Sequence, residues 1–141
     1  MPVVRTAHTQ WEGTLAEGGG TVSFDSSGLP DQQVTWKARS EKSEGLTSPE
    51  ELIAAAHSSC FSMALSNGLA QGGTPPRTIR TQAEVTFQAG EGIKGIHLTV
   101  RASVPDISTE AFAEAAENAK TNCPVSVALS NTPITLDAEL E

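Results

Sequence analysis

The longest run of apolar and small residues covers positions 52–69, and it follows a strong helix-start signal. Ser48 is a good N-cap residue, Pro49 suits the first helical position, and Glu51 stands three residues after Ser48 as a capping-box partner. A cluster of glycines follows, where a helix ends. The pattern therefore predicts a helix from Pro49 to Ala70. Because no clear polar face interrupts the run, we expect this helix to be buried.

Three stretches before this helix have the composition of strands. Residues 3–12 are rich in β-branched side chains, and Thr21–Asp25 returns after a glycine turn as the second arm of a hairpin. Gln33–Ser40 alternates well enough to predict a third strand, which would carry Trp36 and Arg39.

The second half of the chain repeats strand patterns and then adds helices. Thr78–Gln88 and Ile93–Val104 alternate on either side of a glycine turn and predict a second hairpin. Ser108 should cap a helix, Pro124 can start a short further one, and Ile134–Leu140 alternates as a last strand. The order βββα-ββααβ predicts an α+β fold, with antiparallel sheets around a long buried central helix.

Composition narrows the classes of partner. With 141 residues the chain has the length of one domain, and its net charge is −8 with no basic run. We therefore expect neither nucleic acid nor an anionic membrane as a main partner. No stretch is long and apolar enough to span a bilayer, and the opening MPVVRTAHTQW lacks the apolar core of a secretory signal. These features favour a cytoplasmic protein, in which two cysteines are more often catalytic, redox-active or incidental than a permanent disulfide.

Cys60, near the middle of the predicted helix, could be either a structural core residue or a reactive thiol. A free cysteine often serves as a small core hydrophobe. A buried thiol also has a raised pKa, so a reactive Cys60 would need a nearby cation. Arg39 is the arginine that lies shortly before the helix, although it could equally be a solvated strand residue. Cys123 precedes Pro124 at a possible helix start, a position that lowers a thiol pKa. Whether the two cysteines meet stays open at this point.

Two further residues could join such a site. His57 lies three residues before Cys60, on about the same helix face, which permits a Cys–His pair or a metal site with Cys123 as a third ligand. No CxxC or HExxH spacing supports a metal. Glu50 suits the helix start, and ten residues of helix, about 15 Å, separate it from Cys60. A site that uses both would therefore need a second chain, and a dimer would also cover the apolar helix.

Two motifs, one around Cys60 and one around Cys123, resemble those of a known family. The segment SPEELIAAAHSSCFSMAL, residues 48–65, is similar to the first cysteine motif of the OsmC/Ohr family, the osmotically inducible and organic hydroperoxide resistance proteins. Residues 122–126 (NCPVS) resemble its second motif. The resemblance extends over essentially the whole chain, through residues 11–13, 18–22 and 134–137. Residues 36–39 look more like the OsmC branch.

The resemblance implies a thiol-dependent peroxidase that reduces organic hydroperoxides in stress defence, built as an intertwined homodimer. Cys60 would attack the O–O bond and become a sulfenic acid, and Cys123 would resolve it into a disulfide. Arg39 would hold the thiolate and polarise the peroxide, and Glu50 would orient Arg39. The family implies no bound cofactor and no metal. An external dithiol would reduce the disulfide, and a lipoylated protein fits better than thioredoxin. His57 has no assigned role in OsmC-like members.

Two other functions stay open. A thiol hydrolase would use Cys60 and His57, and it would keep its activity without Cys123. A non-catalytic dimeric binding protein would have thiols that do not react with peroxide. The presence of both cysteines and a candidate arginine favours the peroxidase.

Overall fold

The computed structural model describes all 141 residues, with six strands and four helices in the order βββααββααβ. The chain forms two compact units, Met1–Leu52 and Ile53–Glu141. None of the helices combines the length and the apolar composition that crossing a bilayer would need. The α+β class and the long helix predicted from the sequence are confirmed.

The N-terminal unit is built on a three-stranded antiparallel sheet. Its strands are β1 (His8–Glu12), β2 (Gly19–Ser23) and β3 (Gln32–Val34), and β2 lies in the middle. The predicted hairpin is present, although β1 is shorter than the predicted strand. Gly20 pairs with Trp11 across the hairpin, and a Cβ at Gly20 would come within 2.8 Å of the indole ring. The hairpin therefore needs glycine at this position.

The predicted third strand is wrong beyond Val34. Trp36–Ser40 is a short helix, α1, and it carries Arg39. Thr35 starts this helix, because its side-chain Oγ1 accepts a hydrogen bond from the Ala38 N–H at 3.0 Å. Lysine, alanine and arginine in the middle of the segment also have good helix propensity. The N-cap bond and these propensities together outweigh the strand-like alternation.

Helix α2 runs from Pro49 to Gln71, one residue beyond the predicted end. Ser48 caps it as predicted, with its Oγ accepting from the Glu51 N–H at 3.1 Å. The Glu51 carboxylate takes a different partner, the Thr47 hydroxyl, which donates to it at 2.6 Å. The capping box is thus half formed, and α2 begins at a fixed residue.

The C-terminal unit contains a second three-stranded sheet and two further helices. Strands β4 (Thr78–Gln88) and β5 (Gly92–Ser103) pair antiparallel, as predicted. Helices α3 (Thr109–Asn122) and α4 (Pro124–Ala128) then carry the chain back, and β6 (Ile134–Leu140) pairs with β5 in parallel. This parallel pair was not predicted. It follows from the helical connection, which returns the chain to the end of the sheet where β5 began.

The core of this unit lies between the central strand β5 and helices α2 and α3. Its buried members are Phe61, Leu65, Leu69, Ile96, Leu98, Val100, Ala102, Val104, Phe112, Ala116 and Ala119. The other side of α2 is uncovered in a single chain. Ala55, Ala56 and Ser59 are exposed there, and Met63 has 72 % of its surface exposed. Helix α2 is therefore buried on one side only, and the remaining small and apolar face is available for packing.

Candidate active site

The fold brings the two cysteines together. Cys60 lies in the middle of α2, and Cys123 is the residue at which α3 ends and α4 begins. The Cys123 N–H donates to the Ala119 carbonyl at 2.9 Å, which fixes the turn. Both thiols are free, and they lie close enough for each to influence the pKa of the other. Cys123 is fully buried and Cys60 is partly exposed, so only Cys60 can be reached directly from outside.

The surroundings of the two thiols shift their pKa values in opposite directions. Burial raises the pKa of Cys60, and its hydrogen bond to Cys123 raises that pKa further. Burial acts in the same direction on Cys123, but hydrogen bonds from Cys60, from the Ser126 and Val125 N–H groups and from the Ser126 hydroxyl outweigh it and lower the pKa of Cys123. Neither shift involves a cationic side chain. In a single chain, the surroundings of Cys60 therefore disfavour its thiolate.

An open groove of about 750 Å³ runs beside Cys60 between α2 and α3. Small residues form much of its lining, and amide side chains supply most of its polar groups. The lining residues are Cys60, Met63, Ala64, Asn67, Gly68, Gln71, Ala111, Glu114, Ala115, Asn118, Ala119, Asn122 and Pro124. Glu114 carries the single charge among them, so the groove suits a small, uncharged or weakly polar molecule next to the Cys60 sulfur.

His57 is fully buried and its Nε2 lies 2.8 Å from the Ser126 Oγ, while Nδ1 has no hydrogen-bond partner. Burial lowers the pKa of His57, so the ring is neutral. The Cys60–His57 pair that the spacing permits is not formed, because Nε2 bonds to Ser126 and Nδ1 has no partner. No three His, Cys, Asp or Glu side chains cluster in a way that could hold a metal ion. Sequence reasoning missed Ser126, and its place three residues after Cys123 was the available signal.

Arg39 and Glu50 form a two-bond ion pair in the N-terminal unit. Arg39 Nε donates to Glu50 Oε1 at 3.0 Å, and Nη2 donates to Oε2 at 2.9 Å. The Glu50 side chain is 8 % exposed and that of Arg39 is 32 % exposed. Such a fork fixes the plane of the guanidinium more firmly than a single contact. The structure thus pairs the two residues that the family resemblance linked, and their catalytic roles stay predictions.

Comparison with known proteins covers the whole chain. The sequence profile of the family described as OsmC-like protein matches residues 41–139. Peroxiredoxin OsmC of Escherichia coli strain K12 is 41 % identical over 144 residues, covering 100 % of this chain and 99 % of that protein.

Solved structures agree with this match. The organic hydroperoxide resistance protein OhrB of Bacillus subtilis has a TM-score of 0.62 at 25 % identity, over 96 % of this chain and 98 % of its own. An OsmC protein of Legionella pneumophila has the same fold, with a TM-score of 0.71 at 20 % identity over 98 % of this chain and 99 % of its own. Because the matches include both cysteine motifs and extend over the full length, the chain belongs to the OsmC family.

Proposed function

We propose that this chain is a cysteine-based peroxidase that reduces organic hydroperoxides to alcohols without haem. The observation that carries the proposal is the pair of free thiols, Cys60 and Cys123, which lie close enough to influence each other's pKa, with Cys60 at the edge of a groove. The names of the relatives support it, since one is a peroxiredoxin and another an organic hydroperoxide resistance protein. The role would be defence against oxidative stress.

We assign each sulfur a step in the cycle. Cys60 is the sulfur that borders the groove, so its thiolate attacks one peroxide oxygen. The O–O bond breaks, Cys60 becomes a sulfenic acid, and the departing alkoxide takes up the proton that Cys60 lost on ionising, so it leaves as an alcohol. Cys123 then attacks the oxidised sulfur, a disulfide forms, and water leaves. The two thiols lie close enough to influence each other's pKa, so we expect resolution to need little movement and to precede further oxidation.

Attack requires a thiolate, yet the pKa of Cys60 is raised in a single chain. A guanidinium next to the sulfur would reverse this, and Arg39 is held in a fixed plane by Glu50. Ten residues of α2, about 15 Å of helix, separate Glu50 from Cys60. We infer a homodimer in which the partner copy supplies the Arg39–Glu50 pair to each Cys60. The exposed face of α2 around Met63 is a surface that a second copy would cover.

Each cycle leaves a disulfide that only an outside reductant can open. We propose an external dithiol, carried by a lipoylated protein, because a dithiol can resolve the mixed disulfide by its own second thiol. The small, mostly uncharged groove lining favours alkyl hydroperoxides over hydrogen peroxide. The hydrolase alternative loses support, since the His57 ring bonds to Ser126 instead of Cys60.

Peroxide consumption tests the proposal. We expect the protein to turn over tert-butyl hydroperoxide when a lipoylated protein and its reductase supply electrons. The value of kcat/KM should exceed that for hydrogen peroxide by about tenfold or more, because burial of the alkyl group contributes binding energy. Thioredoxin with its reductase serves as the comparison reductant. Consumption no faster than with the reductant alone would overturn the proposed activity.

A further inference from the structure

The groove beside Cys60 is longer than a small hydroperoxide needs. Along α2 its lining extends from Cys60 to Gln71, eleven positions or about 16 Å of helix. A second cavity of about 400 Å³ adjoins it, and the two share three small residues, Gly68, Ala111 and Ala115. Gly72, just after α2, and Ser108, the cap of α3, line this second cavity. Together the two cavities form one trough, which begins at Cys60 and ends where α2 stops and α3 starts.

The two ends of the trough differ in charge. Near Cys60 the lining consists of small or uncharged side chains such as Ala64 and Ala119. Toward the other end it carries two carboxylates, Glu114 and Asp106, and no lysine, arginine or histidine lines either cavity. Asp106 lies two residues before the start of α3, where the positive end of the helix dipole offsets an anion. Glu114 is therefore the less compensated of the two charges.

Glu114 lies well away from the thiols but within reach of a long substrate. Nine positions of α3, about 13 Å of helix, separate it from Cys123. Its side chain is exposed and forms no ion pair, because Lys120, the one lysine of α3, pairs with Glu117 at 2.9 Å. A substrate carboxylate held at this distance from the peroxide group would meet a like charge, whereas an ester or a hydroxyl group would not.

We propose that Glu114 is a specificity-determining residue, through which the trough selects long-chain hydroperoxides with an uncharged far end over those that end in a carboxylate. The alkyl chain packs on the small side chains between α2 and α3, and the far group lies beside Glu114. As a statement about substrates, the inference rests on the proposed peroxidase function. Because Glu114 is exposed to water, the discrimination is about three- to tenfold, and it weakens as salt screens the charges.

Bromoacetyl probes test this selection without any hydroperoxide. A bromoacetyl group on the nitrogen of ω-aminooctanoic acid, or of its methyl ester, alkylates Cys60 and leaves a chain whose extended length matches the distance to Glu114. A thioether forms and bromide leaves. The same group on glycine, or on glycine methyl ester, keeps the carboxylate close to the sulfur. Intact mass gives the rate for each probe, and peptide mapping confirms the adduct at Cys60, since Cys123 is fully buried.

The quantity to compare is the ratio of the ester rate to the acid rate, for the long pair and for the short pair of probes. Glu114→Gln keeps the side-chain size, and it should lower the long-pair ratio about three- to tenfold while leaving the short-pair ratio unchanged. Glu114→Lys should lower the long-pair ratio further, because the acid then meets an opposite charge. High salt should reduce the long-pair ratio of the wild-type protein and have less effect on that of Glu114→Gln.

Glu84→Gln is the matched control, because it removes the same net charge from the opposite side of the sheet. Its neighbours Ala83 and Val85 pack against the core, so Glu84 points away from α2 and α3. It should leave both ratios unchanged. A long-pair ratio that Glu114→Gln does not change, or that Glu84→Gln lowers equally, would overturn the inference. So would a Cys60 that reacts with the short probes but with neither long one, because the trough would then not hold a chain.

The selection and the peroxidase activity fail separately. A protein that consumes no hydroperoxide but shows the Glu114-dependent ratio would refute the peroxidase and keep the selection by the trough. Normal hydroperoxide turnover, with a long-pair ratio that Glu114→Gln leaves unchanged, would refute the selection alone.

Discussion

We expect Cys60→Ser to abolish hydroperoxide reduction, with a loss of about 10³-fold or more, because the only thiol at the groove is removed. Cys123→Ser has a different effect. It leaves the first turnover nearly intact, since Cys60 still attacks the peroxide, but it stops cycling with a dithiol protein that needs the disulfide. Stopped-flow measurement of one turnover, followed by steady-state peroxide consumption, separates these two outcomes.

The control for this pair is Thr121→Ala, which removes an exposed hydroxyl two residues before Cys123 that bonds only within α3. It should keep the wild-type rate. Full steady-state activity in Cys123→Ser would argue against a resolving cysteine and favour a mechanism that uses Cys60 alone. Peroxide reduction by Cys60→Ser at the wild-type rate would remove Cys60 from the mechanism.

Arg39→Ala should lower the rate of peroxide attack by about 10²–10³-fold, because the thiolate loses the cation that offsets its burial. Arg39→Lys should recover little of this loss, since an ammonium cannot reproduce the two parallel bonds to Glu50. Arg80→Ala is the matched control. Arg80 also pairs with a glutamate, Glu141, but at an exposed site away from the thiols. Single-turnover rates of these variants provide the comparison.

The same variants test the composite site. A mixture of Arg39→Ala chains and Cys60→Ser chains, unfolded and refolded together, should recover about a quarter of wild-type activity. Half of the dimers are then mixed, and each mixed dimer has one intact site, made from the cysteine of one chain and the arginine of the other. Refolding each variant alone should give no recovery. A mixture that stays inactive, despite mass-verified mixed dimers, would place Arg39 and Cys60 of a working site in the same chain.

The elements with the clearest local signals were predicted to within about a residue or two. The alternation in Thr78–Gln88 and Ile134–Leu140 identified β4 and β6, and the Ser48 and Ser108 caps identified α2 and α3. Trp36–Ser40 failed because five residues are too few to show a helical period, and the deciding feature was one Thr35 side-chain bond. The parallel pairing of β6 with β5 was not predicted either, since strand direction depends on the path of the intervening helices.

The site was less accessible to sequence reasoning. The spacing of the cysteines left open whether they meet, and only the family resemblance linked Cys60 with Cys123. The Arg39–Glu50 pair came from the same source. The His57–Ser126 hydrogen bond joins residues 69 positions apart, one on α2 and the other on α4. No local pattern encodes such a contact, and for this reason the spacing on α2 suggested only a pairing of His57 with Cys60.

Intact mass and free-thiol count, before and after one equivalent of an organic hydroperoxide, test the central claim most directly. The reduced wild-type protein should lose two thiols and about two daltons, as Cys60 and Cys123 form a disulfide. Cys123→Ser should yield a sulfenic acid at Cys60 that a dimedone-type reagent can trap. If both thiols of the wild-type protein remain free after the peroxide is added, the chain does not use the proposed chemistry.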